Sequence, residues 1–260
     1  MRSFAHIKSI YDYRNLIISL TKKEIKIKYK SAVLGWLWSL LNPLLLMVVF
    51  SFVFTFIMKI QIANYPVFLL SALLPWFFLS FSLTAAVTSI VDNASLIKKA
   101  YFPYEVIPLS IVAANLFNFL ISQLLLFVFL IYYRIFPNGA WLYLPLIILL
   151  QSVFVAGICL AAAALHTLYR DVKYIVELIM LVWFYATPIF YPLSFVPENI
   201  RVFFYLNPLS LFINAYRDIL LYAKVPSFFI LGCMLAISFG FGLLGIALFN
   251  KNKKFFADFT

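Results

Sequence analysis

Acidic residues are scarce in this chain, nine among 260, and charged residues of both signs make up only 11%. A water-soluble fold needs far more charge to cover its exterior, so this shortage excludes a soluble domain. Glycine is also scarce, with seven residues, and no GxxxxGK[ST] occurs, so the chain cannot cradle ATP phosphates itself. Only Cys159 and Cys233 are present, both inside apolar runs. They support neither a disulfide framework nor a metal cluster and read as packing residues. HExxH, CxxC and GxSxG are absent, and the two histidines, His6 and His166, lie in separate stretches, which argues against an embedded hydrolase or metalloenzyme. The first apolar run begins after about thirty mixed residues and lacks a small-residue cleavage site, so no removable signal peptide is expected.

What the chain does have is apolar length. Hydrophobic residues make up 65% of it and its mean hydropathy is +1.03. Charge-poor runs recur, each long enough for a helix to cross a hydrocarbon core, which takes roughly 20 residues. The expected fold class is an all-α integral membrane protein with six spans, at 34–58, 66–91, 107–132, 141–165, 174–190 and 226–249. Barrel strands would alternate apolar and polar residues instead. With the N-terminus inside, residues 1–33, the 92–106 loop, the 166–173 loop and the 250–260 tail hold 8, 2, 2 and 3 basic residues, fifteen of the 20 in the chain. The positive-inside rule therefore places both termini in the cytoplasm. The net charge of +11 is assigned to lipid headgroups and topology, not to nucleic acid.

Residues 1–33 are too polar to span. Lys22, Lys26 and Lys30 share one helical face, with Leu16, Ile17, Leu20, Ile25 and Ile27 supplying apolar surface, as in a helix lying in the cytoplasmic interface. Asn42-Pro43 interrupts the first span with a polar residue and a lost backbone hydrogen bond, which suits either a structural kink or a site lining a path. In 191–225, Pro192, Pro197 and Pro208 cut the chain into pieces of roughly 9 and 15 helical residues, too short to span. Asn207-Pro208 has the form of an N-cap and first helical position. Two short re-entrant outer helices are expected, with an amphipathic pair lying flat as the alternative. Glu177 is the one ionisable candidate within a span, and reads as a boundary residue paired with Lys173 or Arg170 or as a functional group. WFYATPIFY at 183–191 clusters rings beside a proline break. Ring faces suit sugars, and a wall of them would let a polymer slide.

KYKSAVLGWLWSLLNP, YPVFLLSALLPWFF, NASLIKKAYFPYEVIPL, HTLYRDVK and NPLSLFINAYRDILL, in this order and spacing, resemble the permease subunit of type-2 ABC polysaccharide exporters. The O-antigen exporter permeases (Wzm type) are most similar, with teichoic acid and capsule permeases related. The resemblance implies a homodimer in the bacterial inner membrane, joined to two copies of a separate ATPase subunit that binds ATP and Mg. No cofactor is expected on this chain. The implied substrate is an undecaprenyl-diphosphate-linked polysaccharide. One interfacial domain, 1–33, would precede a single permease domain, 34–260. Leu96, Lys98, Lys99, Tyr101 and Phe102 of the 92–106 loop would contact the ATPase. The 191–225 segment, with Asn207, Pro208, Arg217 and Asp218, would form an outer gate. Asn42, Trp183, Phe184, Tyr185 and Tyr191 are the candidate conduit-lining residues, and Lys28 and Lys30 the candidates for a headgroup or pyrophosphate. A permease for a drug or simple lipid is the nearest alternative. A polytopic glycosyl- or acyltransferase would need carboxylates gathered at a wet interface, and Asp92, Glu105, Asp171 and Glu198 are scattered.

Overall fold

The computed structural model describes residues 12–30, 35–99 and 101–256. The start of the interfacial segment with His6, the 31–34 join, and the last four residues of the basic tail lie outside the described residues. Among the described residues the secondary structure is helical throughout, without a strand. Helix α1 (Arg14–Tyr29) comes first. Helix α2 (Trp38–Ser51) follows and continues as a π-helical stretch, Phe52–Ile57. Next are α3 (Tyr65–Val87), the short α4 (Ser89–Asp92) and α5 (Ala94–Lys99), and α6 (Val106–Tyr132). A 3-10 turn, Gly139–Tyr143, leads into α7 (Leu144–Leu168), and α8 (Val172–Tyr185) comes after it. Two short helices, α9 (Glu198–Leu206) and α10 (Pro208–Leu220), precede the last, α11 (Phe228–Asn252).

Among the described residues, five stretches are long and apolar enough to cross a membrane: Trp38–Ile57, Tyr65–Val87, Val106–Tyr132, Gly139–Leu168 and Phe228–Asn252. They match five of the expected spans to within a few residues. The sixth, expected at 174–190, contains only the 14-residue α8. At about 21 Å it falls short of a hydrocarbon core of roughly 30 Å. Pro188 disfavours helical backbone at Thr187, and the Thr187 hydroxyl folds back to donate to the carbonyl of Trp183 at 2.6 Å. The helix stops there, and the chain turns through 186–191.

Helix α3 is the hub. It is buried along most of its length and packs against α2, α6, α7, α8 and α10. Helices α7 and α11 form the most intimate pair. A Cβ on Gly157 would collide with the backbone of Phe241 and Gly242, and one on Gly245 with the backbone of Gly157. Small residues thus let two backbones touch, as association in lipid requires when burial from water supplies no force. A buried polar chain ties three helices together: Tyr216 of α10 donates to the Gln151 side chain of α7 at 2.8 Å, and Gln151 donates to the carbonyl of Pro75 in α3 at 2.9 Å. A second, smaller core gathers Ile90, Ile97, Ile107, Leu160, Phe249 and Phe256 at one end of the bundle, so the chain after α11 packs under the 92–106 loop.

Candidate functional site

Pro43 has no N–H to give the carbonyl of Ser39, one turn back in α2. The Ser122 hydroxyl of α6 donates to that carbonyl at 3.4 Å. Beside the break lies a mostly apolar cavity of about 240 Å³ between α1, α2, α3 and α6, with Asn42, Asn115, Asn118, Ser122 and Lys28 as polar groups in its wall and Phe81 among its rings. A neighbouring helix thus meets the freed carbonyl, and Asn42 faces the cavity beside it.

The two lysines at the end of α1 part company. Lys28 donates to the Asn115 side chain at 3.3 Å, and its ammonium lies 5.0 Å from the centre of the Phe81 ring. Burial of that end lowers its pKa from the ordinary lysine value, although the side chain as a whole keeps an exposed flank. Lys30 instead lines a separate apolar groove together with Lys26. Helix α1 is held along α6, with the Thr21 hydroxyl donating to the carbonyl of Ser110 at 3.3 Å, and it reaches the 92–106 loop through Lys23 and Asn93 at 3.4 Å.

The four candidate rings also divide. Trp183 meets Trp76 edge-on at 6.5 Å, and Phe184 packs between Trp76 at 5.3 Å and Phe190 at 5.9 Å. Both are inward packing rings. Tyr185 is 61% exposed, and the Tyr191 hydroxyl donates to its carbonyl at 3.0 Å. The helical turn of about 100° per residue separates these neighbours. Glu177 is exposed on α8.

Asn207 caps α10 as expected, its side-chain oxygen accepting from Leu209 N at 3.0 Å with Pro208 next in line. The same oxygen accepts from the indole of Trp183 at 2.8 Å, and its amide donates to the carbonyl of Ala186 and the hydroxyl of Thr187. This knot fixes how the chain returns after α8. Arg217 is 3% exposed, and its guanidinium donates to the carbonyls of Pro188 and Ile189, both at 2.6 Å, while stacking 3.6 Å from the centre of the Phe68 ring. It staples the non-helical 186–191 turn to α3. Asp218, half-buried, lines with Arg217, Asn214, Tyr205 and Tyr222 a cavity of about 710 Å³.

In the 92–106 loop, Tyr101 is 99% exposed, Lys98 and Lys99 are exposed and Leu96 is half-buried. Phe102 turns inward against Tyr104 and the small core. The sequence reading missed Asn115, Asn118 and Ser122. Their i, i+3, i+7 spacing on one face of an apolar helix was the available signal.

A profile of the ABC-2 type transporter family matches residues 15–221. Two proteins of Klebsiella pneumoniae named O-antigen export system permease protein RfbA are 35% and 36% identical over 250 residues, 94% of this chain and 94% of theirs. A protein of the same name from Myxococcus xanthus is 34% identical over 254 residues, 97% of this chain and 98% of its own.

Proposed function

The chain belongs to the ABC-2 type transporter family, and from that premise we propose that it is the transmembrane subunit of an ATP-driven exporter of lipid-linked polysaccharide of the O-antigen type. The observation that carries this reading is near-full-length similarity to three permeases named for O-antigen export. The substrate's lipid is proposed to be undecaprenyl diphosphate. A GxxxxGK[ST] sequence is missing, so hydrolysis falls to a separate subunit that binds ATP and Mg, two copies per complex, and this chain carries no cofactor of its own.

In this reading the chain is a six-span permease of the bacterial inner membrane with both termini cytoplasmic, supported by the fifteen basic residues on that side. Helix α8 with the 186–191 turn is the short fifth span, and α9 and α10 re-enter from outside as the gate. Residues 1–33 form the interfacial piece and 34–260 one permease domain. Lys28 and Lys30 serve headgroups or pyrophosphate. Helices α2 and α8 present Val48, Val49, Phe52, Leu178, Ile179 and Val182 as exposed apolar surface, which suits pairing with a second copy around a central conduit. Tyr185 and Tyr191 are then the ring faces available to glycan, with Asn42 farther in and Trp183 and Phe184 behind them. Leu96, Lys98, Lys99 and Tyr101 offer a mixed apolar and basic contact to the ATPase, and Phe102 supports them from beneath.

Proteoliposomes holding this chain and its ATPase subunit are expected to move an undecaprenyl-diphosphate-linked glycan across the bilayer only with hydrolysable ATP. Glycan-stimulated hydrolysis without movement, or movement of simple lipids alone, would overturn the assignment.

A further inference from the structure

Helix α6 has 27 residues, about 40 Å, which exceeds a hydrocarbon core of roughly 30 Å by some two turns. Helix α1 lies against those extra turns and ends near Asn118, where α2 also begins its crossing. Below that level an apolar groove runs between α1, α2 and α6. Its floor on α6 is Phe117, Ile121, Leu124, Leu125 and Val128, one helical face by their 3- and 4-residue spacing. Leu40 closes its α2 side, and its volume is about 900 Å³. Lys26, in the last turn of α1, and Lys30, the extended residue that ends the helix, stand at its polar end.

We infer that this groove is a binding site for one anionic phospholipid, its phosphate on Lys26 and Lys30 and an acyl chain laid along Phe117 to Val128. Two dimensions select this occupant. The distance from Phe117 to Val128 along the helix is about 17 Å, close to the depth of one leaflet and far short of a long polyprenyl chain. Two ammonium groups at one end of a wall whose floor is otherwise apolar match a phosphate joined to hydrocarbon, and each lysine near an anionic surface strengthens the contact. Lys28 does not share the task, because Asn115 and Phe81 hold it on the other side of α1, where Glu24 also lines a cleft. The bound lipid would fix α1 to α2 and α6 at the point where the interfacial helix joins the first span. This inference rests on the membrane-embedded reading of the chain but not on the identity of the exported glycan.

The test is lipid retention by the full-length protein purified in mild detergent, read by native mass spectrometry with phosphatidylglycerol and phosphatidylcholine as probes. Wild type is expected to keep phosphatidylglycerol in preference to phosphatidylcholine. Combining Lys26→Gln with Lys30→Gln should lower phosphatidylglycerol retention roughly tenfold. Leu124→Trp, at a 61% exposed position, should exclude both lipids by filling the groove, whereas Leu142→Trp, 83% exposed outside the groove, should change neither. Equal retention of the two lipids by wild type, or undiminished phosphatidylglycerol in the lysine variant, overturns the site. If Leu124→Trp lowers the yield of folded protein, the lysine variant decides alone. Displacement of phosphatidylglycerol by equimolar undecaprenyl phosphate would give the groove to the transported lipid and refute the phospholipid. Because no transport is measured, a wrong export substrate leaves this result untouched.

Discussion

Helix α3 and the Trp38–Ile57 stretch that holds α2 are both strongly apolar, with mean hydropathies of 1.9 and 2.4, yet most of α3 is buried and little of Trp38–Ile57 is. In water such a contrast would be costly, because an apolar helix left outside a core exposes its surface to solvent. In a bilayer it costs little, since lipid tails solvate leucine as well as a protein interior does. What separates the two helices is packing. Helix α3 is surrounded by other helices and carries the carbonyls that Gln151 and Arg217 grip, while α2 carries side chains left exposed among the described residues.

The largest effect is expected where packing leaves no slack. In Gly157→Leu the new side chain meets backbone of α11, which cannot yield as a flexible side chain would, and overpacking of this kind costs about 3 kcal/mol or more. Size-exclusion profiles of a fluorescent fusion should show loss of folded protein. A wild-type profile would mean that α7 and α11 do not touch there.

Arg217→Met keeps an unbranched apolar stem but leaves the carbonyls of Pro188 and Ile189 without donors in a buried place. Unpaired buried carbonyls cost about 1–3 kcal/mol each, so a thermal midpoint several degrees lower is expected, with proteolysis appearing first in 186–191. If export falls at an unchanged midpoint, Arg217 acts on substrate and its placement as a staple is wrong.

A pair of neighbours sharpens the contrast further. Trp183→Phe removes the indole donor to Asn207 and should cost about 1–2 kcal/mol, whereas Tyr185→Ala, exposed two residues further on, should stay within about 0.5 kcal/mol. Export per folded complex should move the other way, falling for Tyr185→Ala at normal abundance. Equal loss of abundance in both variants would place Tyr185 in the interior.

The smallest effect on stability is expected at Tyr101→Ala, because the ring touches little within the chain. Co-purification of the ATPase subunit is the readout, and reduced association at an unchanged thermal midpoint is expected. Phe102→Ala should instead lower the midpoint by disturbing the small core. If Tyr101→Ala retains the ATPase as wild type does, the exposed ring is not part of the contact.

Much of this was legible because it rests on local rules. Charge scarcity and run length located five long helices, Asn207-Pro208 announced the start of α10, and prolines marked the broken outer segment at pieces close to the observed 9 and 13 residues. The shortness of α8 was missed although its signal, Thr187-Pro188, stands in the sequence, because 174–190 carries no charge apart from Glu177 and run length alone reads it as a span. The division within each group of candidate residues was not legible. Lys28 and Lys30 look alike in sequence, as do Trp183 and Tyr185, and a difference of one or two residues turns a side chain from one helix neighbour to another.

The sequence by itself determined that the chain is a membrane protein and where its long helices lie, because composition and run length depend on no distant contact. Only the tertiary structure decided which apolar helix is the hub and that Arg217 grips carbonyls of the 186–191 turn. It also decided that the Ser39 carbonyl, left free by Pro43, is met by Ser122. Each of these depends on groups far apart in the chain being brought within a hydrogen bond or a ring contact, and lipid, which rewards every apolar surface alike, leaves that choice to packing.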